Sequence, residues 1–314
     1  MYIGIDLGGT NIAVGVVDEN GKIIAKDSCP TLSEREYTEI VKDMVMLSEK
    51  VVKDAGLEMK DIEAIGVGSP GSIDYKNGCV AYANNLKFKN TPIAAEIQKY
   101  YNIPVVLEND ANAAAFGEYF ASGNDAEVFV AITLGTGVGG GVIINKKIFR
   151  GFNGAGAELG HTVMVHDGLP CSCGRKGCWE AYASVTALIS QTKAAMSKYP
   201  ESLLNTIAKE QGTVNGKTCF DAAQQGDAAA LQVVKKYAEY VGCGICNIIN
   251  IFQPNKLVIS GGVSKQGDYL LKPVIEYARK YDYNKLFEKT EITTATLFND
   301  AGIIGAALAA KYMR

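Results

Sequence analysis

Two segments of the chain share one pattern, and this repeat limits the possible folds more than any other feature. Residues 3–10 read IGIDLGGT and residues 130–137 read VAITLGTG, at an offset of 127 residues. Each is an apolar strand that ends in a glycine corner, and another apolar strand and a polar turn follow it. Two copies of this unit, one near the start of each of two domains, would place two phosphate-facing loops across a cleft. The alternative is a chance similarity between glycine-rich strands.

The pattern outside the repeat predicts alternating strands and helices. Buried-type strands are expected at 64–68 and 105–107, and an alanine-rich helix begins at Ala111 after the second of them. Ser33 and Glu36 have the spacing of a capping box, which predicts that a long amphipathic helix begins there. Such alternation is typical of an α/β protein with a parallel or mixed sheet.

The length of 314 residues fits two domains. We predict a smaller N-terminal α/β domain of residues 1–122, to which a small-residue helix at 300–314 is added. Residues 123–299 would form a larger C-terminal α/β domain, with Asn124 and Asp125 as the linker.

Composition excludes several classes of protein. With 47% hydrophobic and 21% charged residues, the chain is not intrinsically disordered. A net charge of −3 without a basic run argues against nucleic acid and anionic membranes as partners. The uncharged run at 128–145 contains five glycines, so we predict a strand, a loop and a strand there rather than a membrane helix. The N-terminal sequence lacks the features of a secretory signal, so we expect a cytoplasmic protein.

The chain has eight cysteines, which are expected to be reduced in the cytoplasm, so we predict no disulfide framework. Cys243 and Cys246 have the spacing of a redox pair. They lie, however, in an apolar helical pattern that runs to Phe252, and we interpret them as residues of a helix core.

The two glycine corners are candidate nucleotide-binding loops. In the first, Asp6 places a carboxylate at a strand end, where it could bind a hydrated Mg²⁺. In the second, the amides of Gly135, Thr136 and Gly137 could approach phosphate oxygens closely. Neither loop has the Gly-Lys-Ser/Thr ending of a P-loop. Taken alone, the first corner is equally compatible with a hairpin bend whose glycines are needed only for the backbone conformation.

Several motifs resemble those of known kinases. Residues 6–10 (DLGGT), 134–141 (LGTGVGGG) and 260–263 (SGGV) resemble the phosphate and adenosine motifs of actin-like sugar kinases. Within that group, three further segments resemble the ROK family, which is named for repressors, open reading frames and kinases. They are LENDAN at 107–112, ELGH at 158–161, and CSCGRKGCWE at 171–180. The resemblance runs from Ile3 to about Leu308. It implies a two-domain, actin-like (ribonuclease H-like) ATPase fold with a zinc-binding loop in the second domain.

The resemblance implies which residues bind ATP and the sugar. ATP would be bound by residues of the glycine motifs, with Asp6 as the magnesium ligand: Asp6, Gly8, Gly9, Thr10, Asn11, Thr133, Gly135, Thr136, Gly137, Gly261 and Gly262. The sugar hydroxyls would be held by polar side chains from several motifs: Asn85, Asn109, Asp110, Glu158, His161 and Glu180. The helix at 300–314 would pack back on the first domain, and the family commonly forms homodimers or homotetramers.

A histidine and three cysteines fall within eighteen residues of sequence and predict a metal site: His161, Cys171, Cys173 and Cys178. These soft and borderline ligands lie in a loop rich in Gly and Pro, a pattern typical of a tetrahedral Zn²⁺ site. His161 is preferred to His166 because the family places the ligand directly after Glu-x-Gly. Four protein ligands leave no open position, so the zinc would be structural. The alternative is a set of ordinary buried cysteines.

Asp110 is the candidate general base. Phosphoryl transfer to a hydroxyl needs a carboxylate that takes the proton, and Asp110 lies between a buried strand and a helix, where open α/β sheets place ligands. The family uses this aspartate as its base. Without the resemblance, Asp110 could instead be a helix N-cap, and the two roles are compatible.

Two departures from the family bear on the sugar site. Lys87 and Phe88 stand where Pro and Trp often follow the Asn-Leu contact, which weakens the assignment of Asn85. Before Glu158 the order is Gly156 then Ala157, where the family usually has Ala then Gly, so a positive φ at Ala157 would carry strain.

We therefore predict an ATP-dependent hexose 6-phosphotransferase of carbohydrate metabolism, a glucokinase that converts glucose to glucose 6-phosphate. N-acetylmannosamine, N-acetylglucosamine, fructose or allose could replace glucose. A rival is a sugar-sensing repressor of the same family, which would need a helix-turn-helix domain before the first strand, whereas the strand here begins within three residues of Met1. A zinc-ribbon interaction module would not explain the nucleotide loops.

Overall fold

The computed structural model describes residues 1–313. Its strands are β1 (Tyr2–Leu7), β2 (Asn11–Val17), β3 (Ile23–Pro30), β4 (Ala64–Ser69), β5 (Ser72–Asp74), β6 (Cys79–Ala83), β7 (Phe88–Thr91), β8 (Val105–Asn109), β9 (Val128–Leu134), β10 (Val138–Ile144), β11 (Lys147–Ile148), β12 (Lys256–Ser260) and β13 (Glu291–Thr294). Its helices are α1 (Tyr37–Asp54), α2 (Ile93–Gln98), α3 (Asp110–Ala121), α4 (Glu180–Ala183), α5 (Val185–Lys198), α6 (Leu203–Glu210), α7 (Thr218–Gln224), α8 (Ala228–Phe252), α9 (Asp268–Tyr281) and α10 (Ala301–Tyr312).

Two five-stranded sheets have the same plan, with strand orders β3-β2-β1-β4-β8 and β11-β10-β9-β12-β13. In the first, β1 is antiparallel to β2 and parallel to β4, and β4 is parallel to β8. In the second, β12 is parallel to β9 and to β13. The two copies of the sequence repeat, β1 and β9, are therefore the central strands of their sheets. This arrangement confirms the predicted α/β fold and its internal repeat.

The central strands explain the apolar runs of the repeat. Ile3, Ile5 and Leu7 of β1 are at most 1% exposed, and the residues between them are buried or nearly so. A strand that is covered on both faces of its sheet needs a nearly continuous apolar sequence rather than an alternating one. The glycine corner follows where this burial ends.

Contacts between residues divide the chain into two compact units. Unit 1 contains Met1–Glu127, Gly141–Ala157 and the C-terminal segment from Thr296, and unit 2 contains Val128–Gly140 and Glu158–Ala295. The domain boundaries predicted from the sequence refer to segments that fold separately. These boundaries remain a prediction. Residue 314 of the predicted C-terminal helix lies outside the described residues.

The long amphipathic helix is α1, but it begins later than the capping box predicts. Its N-cap is Glu36, whose side chain caps nothing, and Ser33 lies in the preceding turn. That turn is held instead by Arg35, which donates to the carbonyl of Thr31 at 2.8 Å and to Asp43 at 2.6 Å. The capping-box prediction is wrong because a longer-range ion pair fixes the turn. The periodic pattern is correct, since the apolar face of α1 is buried.

Helix α10 packs on β1, β4 and α3 within unit 1. Gly4 of β1 and Gly66 of β4 lie against it, and a Cβ on either would overlap a backbone carbonyl of the helix. Gly305 of α10 lies against the backbone of α3 in the same way. The small residues of α10 therefore permit backbone-to-backbone contact, and the predicted packing of this helix is confirmed.

None of the described helices combines the length and the apolar composition needed to cross a bilayer. The run at 128–145 forms β9, a loop and β10, as predicted. Helix α8 contains Cys243 and the buried Cys246, which confirms their interpretation as parts of a helix rather than of a redox loop.

The backbone of unit 1 is strained at Ala157, which has a φ of 63°. Just before it, the amide of Gly156 donates to the carbonyl of Arg150 at 3.0 Å, and Gly154 has a φ of 84°. The left-handed conformation costs an L-residue about 1–2 kcal/mol. The strain expected from the exchanged order of Gly and Ala is confirmed.

Replacing Ala157 with glycine should stabilise the protein by about 1 kcal/mol, because glycine adopts a positive φ without a steric penalty. Ala155→Gly is the matched control in the same exposed segment. Ala155 has no positive φ, so glycine there should destabilise by about 0.5–1 kcal/mol through the entropy of the unfolded chain. Urea denaturation of both variants measures the difference, and shifts of the same sign would contradict the assignment of strain.

Candidate active site

The carboxyl ends of three parallel strands meet in unit 1. Asp6 of β1 is paired in register with Gly68 of β4, and Gly68 is paired with Glu108 of β8. A Cβ on Gly68 would lie 3.7 Å from the Cα of Asp110, so the residue between the two acidic strand ends is small. This register brings Asp6 and Asp110 to the same edge of the sheet, where open α/β sheets bind ligands.

The corner between β1 and β2 is a tight turn held at both ends. The amide of Gly8 donates to the carbonyl of Asn11 at 2.9 Å. Thr31, which is fully buried, donates its amide to the carbonyl of Thr10 at 2.8 Å and its hydroxyl to the carbonyl of Gly8 at 2.7 Å. Thr10 and Asn11 are exposed at the turn. Sequence reasoning did not identify Thr31, which fixes the shape of this corner.

Asn85 lies on the same side of unit 1. It is exposed in a short 3₁₀ turn after β6, and a Cβ on Gly9 would come within 3.2 Å of its side-chain nitrogen. Lys87, the residue that departs from the family pattern, ends this turn with a φ of 55° and pairs with Glu34. The structure therefore brings Asn85 next to the first glycine corner.

Asn109, not Asp110, is the N-cap of α3. Its side-chain oxygen accepts from the amides of Ala111 at 3.0 Å and Asn112 at 3.2 Å, and its amide group donates to the carbonyl of Gly71 at 3.1 Å. Asp110 is the first residue of the helix, and its carboxylate accepts from the Ala111 amide at 2.8 Å. The alternative role of Asp110 as a cap is therefore taken by its neighbour.

The two aspartates titrate above their usual range. Burial, with a contribution from the negative charge of Asp110, raises the pKa of Asp6 to about 6. Burial also raises the pKa of Asp110, although backbone amides of Ala111 and of Asp110 itself oppose the rise. A raised pKa makes each carboxylate a better proton acceptor and a better partner for a cation.

A second glycine corner follows β9 in unit 2. Gly135 donates its amide to the carbonyl of Gly137 at 3.0 Å. The start of α5 holds the corner from outside, since the Val185 amide donates to the carbonyl of Gly135 at 2.8 Å and the Thr186 hydroxyl to that of Thr136 at 2.8 Å. The carbonyls of Gly135 and Thr136 are therefore hydrogen-bonded to the start of α5.

Beside this corner, the end of β12 carries the third glycine motif. Ser260 is paired in register with Thr133, the residue that corresponds to Asp6 in the repeat. Gly261 follows with a φ of 94°, and a Cβ there would overlap the carbonyl of Leu134. Gly262 has nothing within 4 Å of its Cβ position, which leaves open space at the backbone.

The four predicted metal ligands come together in unit 2. The ligand atoms of His161, Cys171, Cys173 and Cys178 all lie within 4.8 Å of one another. The His161 Nδ1 atom is 3.6 Å from the Cys171 Sγ atom, and the Sγ atoms of Cys173 and Cys178 are 3.6 Å apart. His166 is 93% exposed and belongs to a separate pair with Asp167.

This donor set fits a zinc ion. Bonds of about 2.0–2.3 Å in a tetrahedral site separate the ligand atoms by about 3.4–3.8 Å, and both short separations fall in that range. Burial raises the pKa of the Cys178 thiol, so a bound cation is what would hold it as a thiolate at neutral pH. Three sulfurs and one imidazole are ligands that zinc prefers.

Glu180 connects the metal loop to the second glycine corner. One carboxylate oxygen accepts from the Val138 amide at 3.0 Å, and the other accepts from the Ser172 hydroxyl at 3.1 Å. A Cβ on Gly137 would overlap this carboxylate, so the corner and the glutamate are in direct contact. The preceding residue, Trp179, anchors the loop by donating its indole N–H to the carbonyl of Tyr240 in α8 at 2.8 Å.

The remaining predicted sugar ligands lie next to the metal group. Glu158 is exposed, and its carbonyl accepts from the His161 amide at 3.1 Å in a short 3₁₀ turn. Because the Nδ1 atom of His161 faces Cys171, its Nε2 atom is the one left for another ligand. Unit 2 therefore contains Glu158, His161 and Glu180. Unit 1 contains Asn85, Asn109 and Asp110.

The chain is similar to known proteins over nearly its whole length. The chain matches the ROK family over residues 2–312. A glucokinase of Halalkalibacterium halodurans is 37% identical over 312 residues, which cover 99% of this chain and 94% of that protein. A glucokinase of Thermotoga maritima is 39% identical over 310 residues, which cover 97% of this chain and 95% of that protein.

A solved structure is similar over the full length. The ROK family glucokinase from Streptomyces griseus, in complex with glucose and AMPPNP, has a TM-score of 0.83 and 36% identity to this chain, and 99% of each chain is covered. The matches span both units and all the motifs described above. The resemblance seen in the sequence is confirmed, and the chain belongs to the ROK family.

Proposed function

We propose that this protein transfers the γ-phosphoryl group of ATP to the 6-hydroxyl of glucose. The observation that carries the proposal is Asp110, a carboxylate with a raised pKa at the first residue of α3, on the sheet edge that also holds Asp6. The Streptomyces griseus relative, similar over its full length, binds glucose and AMPPNP, which supports these two substrates.

In this mechanism Asp110 accepts the proton of the 6-hydroxyl as the hydroxyl oxygen attacks the γ-phosphorus. The bond between that phosphorus and the bridging β-phosphate oxygen breaks, ADP leaves, and the proton passes from Asp110 to solvent. A base at this position contributes about 10²- to 10⁴-fold to the rate. The hydrogen bond from the Ala111 amide at 2.8 Å would hold the Asp110 carboxylate in place for this transfer.

The nucleotide would be bound by the glycine corners. The amides of Gly8 and Gly135 close their own corners, and the remaining backbone amides of Gly9–Asn11 and of Thr136 and Gly137 are suited to phosphate oxygens. The open backbone at Gly262 is suited to the nucleoside. Thr133 and Gly261 complete this set beside the second corner. Asp6 would hold Mg²⁺, which neutralises phosphate charge during transfer.

The sugar hydroxyls would be bound by Asn85 and Asn109 from unit 1 and by Glu158, His161 and Glu180 from unit 2. Asn109 can only donate to a hydroxyl, because its oxygen caps α3. The glutamates accept from hydroxyl protons, and each unpaired group would cost about 1–3 kcal/mol. A structural zinc held by His161, Cys171, Cys173 and Cys178 would fix the loop that carries His161 and Glu180.

A panel assay tests the substrate assignment. ADP release should be fastest with glucose among glucose, fructose, allose, N-acetylglucosamine and N-acetylmannosamine. A higher kcat/KM for an amino sugar would reassign the substrate and leave the kinase chemistry in place. Homodimer or homotetramer formation stays a prediction, which light scattering of the same preparation measures.

Asp110→Asn should keep sugar binding while turnover falls about 10²-fold or more, because the amide cannot accept the hydroxyl proton. Calorimetry measures glucose affinity, and coupled ADP release measures turnover. Asp18→Asn, in the turn after β2, is the control with the same chemical change and should keep wild-type turnover. Unchanged turnover in Asp110→Asn would remove this residue from its role.

Cys173→Ser should lose bound zinc and weaken glucose affinity about tenfold or more, since loss of a ligand frees the loop. Cys79→Ser replaces a cysteine outside the metal group and should keep both properties. Zinc is measured by inductively coupled plasma mass spectrometry, and affinity by calorimetry. Full zinc content in Cys173→Ser would contradict the ligand assignment.

Asp6→Asn should have opposite effects on stability and activity. The pKa of Asp6 is raised from 3.8 to about 6, so between these pH values the folded chain binds more protons than the unfolded chain. The free energy of unfolding therefore falls as pH rises through this range. In protein without Mg²⁺ and nucleotide, the variant should gain up to about 3 kcal/mol at pH 7.5 and little at pH 4. Denaturant unfolding at both pH values checks the sign; an equal gain at both would rule out this cause. Turnover should fall, because the magnesium ligand is lost.

A further inference from the structure

Glu108 is a buried charge for which the mechanism above has no use. It is 1% exposed, at the end of β8 and two residues before Asp110. A carboxylate at such a position must be paired and fully hydrogen-bonded to remain ionised. Its partners therefore show what the residue does.

Four side chains or amides donate to this carboxylate. Its Oε2 atom accepts from Nε of Arg150 at 2.9 Å and from Nη2 of the same guanidinium at 2.6 Å. Its Oε1 atom accepts from the hydroxyl of Tyr75 at 2.7 Å, from the Asn109 amide at 2.9 Å and from the side chain of Asn112 at 3.1 Å. The guanidinium also lies 4.2 Å above the ring of Tyr75.

Two of these donors belong to residues that flank Asp110 in the sequence. The Asn109 amide precedes it, and the Asn112 side chain follows it by half a turn of α3, yet both reach the same oxygen of Glu108. Asn109 in turn caps the amide of Asn112. The backbone of Asp110 is thus fixed on both sides by one buried atom.

The other two partners, Arg150 and Tyr75, contact the strained segment of unit 1. The carbonyl of Arg150 accepts from Gly156, and a Cβ on Gly154 would come within 2.7 Å of the Tyr75 ring. The segment that ends at Ala157 is therefore packed against the same Tyr75 and Arg150 that hold Glu108. Glu158 is the next residue of the chain.

We infer that Glu108 is a positioning residue for phosphoryl transfer: its carboxylate fixes Asn109 and Asp110 directly and, through Arg150 and Tyr75, the segment that precedes Glu158. The inference rests on the proposed function of Asp110. Glu108 touches neither substrate, and its effect on turnover passes through Asp110.

Glu108→Gln tests this in two backgrounds. In either orientation of the glutamine amide, its nitrogen would face donors: the guanidinium of Arg150, or the Asn109 amide and the Asn112 side chain. The turn would therefore lose its fixed geometry. In the wild-type background, kcat should fall about 10- to 100-fold, since displacements near 1 Å have effects of this size. KM for ATP should stay within about twofold, because the glycine corners do not contact Glu108. In the Asp110→Asn background, the second change should lower kcat less than about twofold.

The matched control is Glu118→Gln, in α3, the helix that begins with Asp110. Glu118 is 3% exposed and accepts from the amides of Thr296 at 3.0 Å and Leu297 at 2.9 Å. Its loss removes a buried carboxylate without changing the turn at Asn109 and Asp110, so kcat should be unchanged. Tyr75→Phe is the milder test variant; it removes one donor to Glu108 and should lower kcat several-fold in the wild-type background alone.

The outcomes separate this inference from the proposed function. The inference is supported if Glu108→Gln lowers kcat in the wild-type background but not in the Asp110→Asn background, while Glu118→Gln keeps wild-type kcat. Equal losses in both backgrounds, or an equal loss in Glu118→Gln, would show a general effect on stability and overturn the positioning role alone. If Glu108→Gln fails to fold, Tyr75→Phe with wild-type kcat overturns it. Full turnover in Asp110→Asn would overturn both the base assignment and the positioning role.

Discussion

Unit 1 depends on the direct contact of α10 with the backbone of its neighbours. Glycine at positions 4, 66 and 305 lets the helix lie against β1, β4 and α3 at a distance that a side chain would prevent. The same helix begins beside Asp6, since a Cβ on Gly302 would lie 2.5 Å from that carboxylate. The tight packing therefore sets where Asp6 and α3 lie, and it excludes the water that would otherwise lower the pKa of Asp6.

The two units solve the problem of fixing polar groups in different ways. In unit 1, buried carboxylates and helix capping hold the candidate base and its neighbours. In unit 2, Glu158 and His161 lie in a loop with little regular structure, and a metal ion held by His161 and the three cysteines would fix that loop. Glu180 connects this loop to the second glycine corner, because its two carboxylate oxygens accept from Ser172 of the loop and from the Val138 amide.

The sequence predicted the features that repeat or that follow a strict spacing. The paired motifs at 3–10 and 130–137 led to two sheets of the same plan, and the spacing of His161 with three cysteines led to a compact group of ligands. What it did not predict depends on partners distant in sequence. Arg35 overrides a local capping signal, and Arg150 reaches Glu108 across 42 positions. The one available signal was a charged residue at the end of a buried strand, which requires a partner but does not name it.

The capping of α3 by Asn109 limits how this protein can change. Both lone-pair directions of its side-chain oxygen are occupied by the helix, and its nitrogen already donates to Gly71. A substitution that altered recognition there would also uncap the helix that begins with Asp110, at a cost of about 1 kcal/mol. Under the proposed function, new carbohydrate preferences should therefore arise first at exposed positions such as Asn85 and Glu158, where no α-helix has to be preserved.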